Sequence, residues 1–181
     1  MKVIAVCGSH RKGNTEWMLN TLLNRVKDNG AEVELILLRK ENVKMCLGCL
    51  SCEEGGKDRK GNCKIQDDMT TIYPKLLAAD CIVFGTPVYF DMVSGLLKNF
   101  MDRTCAIWPK LEGKKAAGVA VAEEGIGQGI KNIQSYTSMC GMPWVGSATG
   151  LAHTAGEIAL DKAVTRRLIK LADKITAYSK P

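Results

Sequence analysis

The chain has no apolar segment of membrane-spanning length, and no charged leader followed by a short apolar stretch and a cleavage site stands behind Met1. A membrane-spanning class is therefore not expected, and a reducing, cytoplasmic setting is. Low-complexity tracts and internal repeats are also missing. Only two histidines occur, His10 and His153, too far apart for ligand spacing, so both read as loop residues. The Walker A pattern and the dinucleotide fingerprint are absent, and no discrete motif for a nicotinamide nucleotide is visible. Charge of one sign is not blocked either. The formal +6 comes from 25 Lys and Arg against 19 Asp and Glu scattered along the chain, which argues against a nucleic-acid role and only weakly for anionic ligands.

What is abundant is cysteine, with eight in 181 residues. Four stand together: Cys46-Leu-Gly-Cys49-Leu-Ser-Cys52, then Cys63 after a polar, Gly-rich gap suited to a surface excursion. Three thiols at three-residue steps resemble the Cys-x2-Cys-x2-Cys ligand array of [4Fe–4S] proteins, with Cys63 the candidate fourth ligand. Zinc prefers two Cys pairs across a longer loop, and a disulfide framework needs an oxidising compartment. Zinc, redox thiols and a site without metal stay open as alternatives. Cys7, Cys81, Cys105 and Cys140 sit singly in apolar or helical contexts and read as small core residues, held away from the loop.

Around this run, apolar β-branched stretches alternate with helical patterns. Strands are expected at Val3–Cys7, Val33–Leu37, Cys81–Phe84, Ala116–Ala122 and Trp144–Thr149. Helices are expected at Thr15–Asp28, Asp68–Ala79, Gly95–Ile107, Gly129–Met139 and Asp161–Tyr178, with Pro74 forcing a kink or a late start in the second. Strands this apolar cannot face water, so the fold class is α/β: a single domain over 1–181, a three-layer sandwich around a five-stranded parallel sheet in the flavodoxin-like order 2-1-3-4-5. That order binds ligands at the carboxyl ends of strands 1 and 3. The cysteine-rich loop, 39–66, follows strand 2, and a connection that long is usually functional or disordered. Its apolar Met45, Leu47 and Leu50 call for cover by a cluster or a second subunit. Asp102-Arg103 reads as a structural ion pair.

After strand 1 comes Gly8-Ser-His-Arg-Lys-Gly-Asn-Thr15, opening a helix. Ser9, Asn14 and Thr15 offer side-chain donors, Arg11 a charged fork, and the helix start exposed N–H groups, a set suited to a phosphate monoester. A plain N-cap with a basic loop is the alternative. Strand 3 runs into Gly85-Thr-Pro-Val-Tyr-Phe90, where Pro87 fixes an extended exit and Tyr89-Phe90 offers aromatic surface for stacking or for a packing patch. Strand 4 runs into Glu123-Glu-Gly-Ile-Gly-Gln-Gly129.

Taken together, these three loops resemble the NADPH-dependent FMN reductase superfamily. With the four cysteines and Asp67-Asp68-Met69, the chain resembles its iron–sulfur flavoprotein branch. The resemblance implies that Ser9, Arg11, Asn14 and Thr15 hold the FMN phosphate, that Thr86, Pro87, Val88, Tyr89 and Phe90 line the isoalloxazine, and that Glu123, Gly125 and Gly127 form a third flavin loop. It further implies cluster ligands Cys46, Cys49, Cys52 and Cys63, a homo-oligomer (dimer or tetramer), NAD(P)H as an electron donor, a ferredoxin or another redox partner, and a small-molecule acceptor, with no nucleic acid and no membrane. The function expected is that of an FMN- and [4Fe–4S]-containing electron-transfer oxidoreductase without a catalytic side chain beyond the cofactor binders. A cluster-free NAD(P)H-dependent FMN or quinone reductase is the alternative, and a zinc-bearing interaction module on the same scaffold is the third class.

Overall fold

The computed structural model describes residues 1–53 and 63–177. In chain order the elements are β1 (Lys2–Cys7), α1 (Asn14–Asp28), β2 (Glu32–Leu37), α2 (Met69–Ala78), β3 (Cys81–Tyr89), β4 (Met92–Val93), α3 (Gly95–Arg103), β5 (Lys115–Ala122), α4 (Gly129–Met139), β6 (Trp144–Leu151) and α5 (Lys162–Ala177). The five long strands lie in the order β2-β1-β3-β5-β6 and pair in parallel. This is the expected doubly wound order, with a sixth strand added.

Each strand's period of two divides the core between the sheet's faces. Val3, Ala5, Val83 and Val119 pack under α1 and α5, against Leu19, Leu22, Leu168 and Ile175. Ile4, Val6, Ile82 and Phe84 pack on the other side, against Ile72, Leu76, Leu97, Phe100 and Ile133 of α2, α3 and α4. Both faces are covered, so these strands read as nearly continuous apolar runs. Among the described residues no helix is long and apolar enough to cross a membrane.

Four expectations need correction. β3 does not stop at Phe84. It continues to Tyr89, pairing with β5 as far as Pro87 opposite Val121, so Gly85-Thr86-Pro87 is strand and not exit. Five strands become six because Met92–Val93 folds back antiparallel on Val88–Tyr89. The turn between them, Phe90 (φ 46°) and Asp91 (φ 72°), has two left-handed residues in succession, the backbone of a type I′ turn without its usual Asn-Gly. The third helix ends at Arg103, short of Ile107, where the Thr104 hydroxyl bonds the Met101 carbonyl (2.6 Å) and a tighter turn takes over. The second helix begins at Met69, well before Pro74, so no late start occurs. Tyr178, the last residue of the expected fifth helix, and most of the gap between Cys52 and Cys63 lie outside the described residues.

Candidate flavin cleft and thiol loop

The carboxyl ends of β1, β3, β5 and β6 open onto one polar cleft. Its walls include Ser9, Arg11, Asn14 and Thr15 from the first loop, Pro87 to Tyr89 from β3, and Glu123 and His153 from beyond β5 and β6. Close packing behind β1 demands glycine at position 8. A Cβ there would stand 2.6 Å from Leu97 Cβ. Gly8 N–H donates to the Gly85 carbonyl (2.8 Å), and the Ser94 hydroxyl donates to the Gly8 carbonyl (2.6 Å), so the first loop is held against β3 and α3.

From there the chain turns through Ser9, whose buried hydroxyl donates to the Arg11 carbonyl (2.8 Å) and accepts from the Arg11 N–H (3.4 Å). α1 then starts after Gly13, and no side chain caps its first turn. Uncapped N–H groups at the positive end of a 15-residue helix suit an anion, and the exposed Arg11 guanidinium stands on the same cleft. Asn14 differs from expectation in what it touches. Its amide nitrogen donates to the Thr154 carbonyl (2.8 Å), and its oxygen accepts from Gly156 N–H (2.8 Å) and Ile158 N–H (3.4 Å). It ties the first loop to the segment after β6.

On the β3 side, Pro87, Val88 and Tyr89 face the cleft, but Thr86 does not. Thr86 is fully buried, with its hydroxyl accepting from Ser94 N–H (2.9 Å) and donating to the Pro87 carbonyl (2.7 Å). Phe90 is fully exposed at the tip of the β3–β4 turn. A bulky residue held at positive φ is a strained conformation of about 1–3 kcal/mol, typical of ligand-contacting segments. The loop after β5 docks on this turn. Gln128 N–H donates to the Asp91 carbonyl (2.7 Å), and a Cβ at Gly127 (φ 48°) would lie 1.8 Å from Asp91 Oδ1, so only glycine fits. Gly125 has open space around it.

Sequence reasoning missed His153, which it treated as a loop residue without a role. The structure puts it on the cleft, with Nδ1 3.3 Å from Glu123 Oε1. Its position just past the carboxyl end of β6 was the available signal. His10 lies 6.4 Å, centroid to centroid, from the Tyr89 ring.

The thiol loop is built differently. Cys46 and Cys49 are exposed, whereas Cys52 and Cys63 are half-buried against the core of α2 and α3. The Ser51 hydroxyl, 3.0 Å from Cys49 Sγ, holds that thiol below its ordinary pKa. Among the described residues no three Cys, His, Asp or Glu side chains converge on a metal-sized site. The available donors are nevertheless all thiols, a set matched to soft metals and iron–sulfur clusters. Met45, Leu47 and Leu50 are exposed beside them. Cys7 and Cys81 are core residues as expected, the Cys81 thiol pushed up to about 12 by burial. Cys105 and Cys140 are not held away from the loop: with Cys46 they line one cavity of about 540 Å³ under Trp108 and Tyr136.

Asp102-Arg103 is not an ion pair. Asp102 bonds Lys98 at the surface (2.6 Å), and Arg103, almost wholly buried, pairs with Asp67. Burial alone would raise the Asp67 carboxyl, but hydrogen bonds from Arg103 and from the N–H groups of Lys44 and Met69 outweigh it and hold the group below its ordinary pKa.

The chain matches the NADPH-dependent FMN reductase family over residues 1–157. It is 38% identical over 162 residues to an iron-sulfur flavoprotein of Methanocaldococcus jannaschii, covering 86% of this chain and 81% of that one. An iron-sulfur flavoprotein of Methanosarcina thermophila is 34% identical over 139 residues, covering 75% and 70% of the two chains. Among solved structures, an apo NADH:FMN oxidoreductase superposes with a TM-score of 0.74 at 18% identity, covering 99% and 91%. The two-electron reduced flavodoxin of Megasphaera elsdenii superposes with a TM-score of 0.62 at 22% identity, covering 95% and 98%, and both likenesses concern the fold. The chain belongs to the NADPH-dependent FMN reductase family, in its iron–sulfur flavoprotein branch, and is a flavodoxin-like, FMN-binding oxidoreductase.

Proposed function

We propose that this oxidoreductase carries electrons between FMN, held in the cleft at the ends of β1 and β3, and a [4Fe–4S] cluster held by Cys46, Cys49, Cys52 and Cys63. The observation that carries this reading is the presence, in one chain, of an uncapped helix start flanked by Ser9, Arg11 and Thr15 and of a separate loop whose donors are all thiols. When bound, FMN supplies hydride or single-electron chemistry and the cluster single-electron chemistry.

The residues have separable tasks. Arg11, Ser9, Thr15 and the first-turn N–H groups of α1 hold the phosphate. Asn14 positions that loop through its bonds to Thr154, Gly156 and Ile158. Pro87, Val88, Tyr89 and Phe90 give the flavin ring an apolar wall, and Glu123, Gly125 and Gly127 form a third flavin loop, joined by His153. Hydride transfer from NAD(P)H needs no acid or base from the protein, so no catalytic side chain is assigned. A homo-oligomer would cover Met45, Leu47 and Leu50, which are 76%, 76% and 62% exposed in the single chain. Light scattering giving a monomer with both cofactors bound would reject that assembly. A ferredoxin or another redox protein and a small-molecule acceptor complete the electron path, in a reducing cytoplasmic setting that keeps thiolates available.

The second reading, a cluster-free NAD(P)H-dependent FMN or quinone reductase, is favoured by one observation: the four thiols do not converge among the described residues. An absorption spectrum with flavin, iron and sulfide analysis, on protein purified without oxygen, separates them. Iron and sulfide alongside FMN support the cluster reading. Flavin alone supports the second, and colourless protein with stoichiometric zinc contradicts both.

A further inference from the structure

The chain enters the thiol loop through Asn42–Lys44 and leaves it through Asp67–Met69, and these two bases are zipped together. Asn42 N–H donates to Asp68 Oδ2 (2.6 Å), Asp68 N–H to the Asn42 carbonyl (3.3 Å), and Lys44 N–H to Asp67 Oδ2 (2.9 Å). Both bases are then fixed to α3. Arg103 Nη2 donates to Asp67 Oδ1 (3.0 Å), and Nη1 donates to Asp67 Oδ2 and to the Lys44 carbonyl (2.7 Å). Asn99, one turn earlier on α3, donates to the Val43 carbonyl (3.0 Å).

The Asp67 and Arg103 side chains are 0% and 1% exposed. Tyr73 of α2 donates to the Arg103 carbonyl (2.7 Å), and the guanidinium lies within electrostatic range of Cys63. The other end of α3 is pinned with equal economy of parts. Its N-cap Ser94 bonds Gly8 of the phosphate loop and Thr86 of β3.

A buried ion pair is weak evidence for stability, because desolvating two charges offsets most of their attraction. What it does supply is one required geometry. Its place, between the last residues before Cys46 and the first after Cys63, matches that use. We propose that α3 is the strut that sets the thiol loop relative to the flavin cleft, with Asp67 and Arg103 as the positioning residues that bring Cys46 and Cys63 to one place for the cluster. The proposal rests on the cluster reading for its iron-dependent half. Its other half, the closure of the loop bases, is a property of the chain without any cluster. Removing the Arg103 charge also takes a cation from the neighbourhood of Cys63, which lowers the potential of a cluster held there.

The experiment compares wild type with Asp67→Asn, Arg103→Lys and Arg103→Met, with the surface substitution Lys98→Ala as control. The readouts are iron and sulfide per FMN, the cluster reduction potential, FMN affinity, and amide hydrogen exchange of residues 42–53 and 63–69 in cluster-free protein. Expected in Asp67→Asn and Arg103→Met is a loss of iron retention on the 10- to 100-fold scale of outer-shell substitutions. Exchange at the Asn42 and Lys44 amides speeds up by more than exchange in the sheet, while FMN affinity stays at wild-type level. Arg103→Lys, which keeps the charge and loses the fork, keeps the potential but not full iron retention. Unchanged iron, potential and loop exchange in all three would overturn the proposal. So would FMN affinity falling in step with iron, or sheet amides losing as much protection as those of Asn42 and Lys44, since either marks general destabilisation. Wild-type protein that never holds iron defeats the cluster reading alone, and the exchange of residues 42–53 then still decides whether the pair closes the loop.

Discussion

At the Ser9–Thr15 end, bonds from Gly8, Ser94 and Asn14 tie the loop to β3, α3 and the segment after β6, whereas the described bonds tying the thiol loop to the fold gather at its two bases. The first loop is short, runs out of a central strand, and is held by Gly8, Ser94 and Asn14 to three different parts of the fold. The second spans the chain from Lys44 to Asp67, exposes Met45, Leu47 and Leu50, and among its described residues meets the core through Cys52, Cys63 and the Asp67–Arg103 pair. The difference teaches that the fold fixes the first loop at several points along its length, whereas the second is fixed to the fold at its bases. A loop fixed along its length should lose affinity when a donor is removed, while a loop fixed at its bases should lose its metal when an anchor is removed.

The largest effect that could break this comparison comes from the buried pair. Arg103→Met leaves the buried Asp67 carboxylate without its countercharge, a change of about 3–5 kcal/mol in stability. The account expects the loss to appear in thermal melts of the apoprotein. A melt within error of wild type would show that the loop bases carry no tension-bearing contact.

Arg11→Ala tests the other region. It should weaken FMN binding by about 1.5–3 kcal/mol, the scale of a hydrogen bond to a charged group, and leave iron content alone. Titration by flavin fluorescence measures it, and equal affinity of wild type and variant would remove Arg11 from the phosphate site. Gly8→Ala drives a Cβ into Leu97 and Ser94 and should destabilise by about 1–3 kcal/mol, with FMN affinity falling too because the loop itself must shift.

Acid separates the regions by a smaller margin. The folded Asp67 carboxyl titrates below the ordinary value of about 3.9. Its stabilising contribution is therefore complete above that value and is lost as pH falls through the lower, folded value. The protection of the Lys44 amide in cluster-free protein, its exchange referred to the intrinsic rate at each pH, should fall in that acid window and not at neutral pH, and Asp67→Asn should abolish the dependence. Loss of that protection between pH 6 and 8 would point to a different titrating group.

Much of the first region was legible in the sequence. β-branched runs at Val3–Cys7 and Ala116–Ala122 located central strands, and Gly8-to-Thr15 after a buried strand pointed to a phosphate. The hairpin after Tyr89 was not legible, because Phe90-Asp91 carries none of the glycine or asparagine that marks a type I′ turn, and its positive φ values are imposed by the tertiary setting, with Asp91 wedged on Gly127. The family resemblance put Thr86 on the isoalloxazine, and no sequence signal shows that its hydroxyl is taken by the Ser94 N–H. Arg103 was assigned to adjacent Asp102, but successive helix residues point apart, and its partner Asp67 lies 36 positions away. His153 escaped notice because a lone histidine past a strand end carries no spacing signal.

Cys63→Ser, with Cys105→Ser beside it, tests the central claim most directly. The account predicts that Cys63→Ser loses iron and sulfide while FMN stays bound at wild-type affinity, and that Cys105→Ser keeps both cofactors. Retention of a full, spectrally unaltered [4Fe–4S] centre in Cys63→Ser, with its loss in Cys105→Ser, would contradict the four-thiolate assignment and place the cluster in the cavity that Cys105 shares with Cys46.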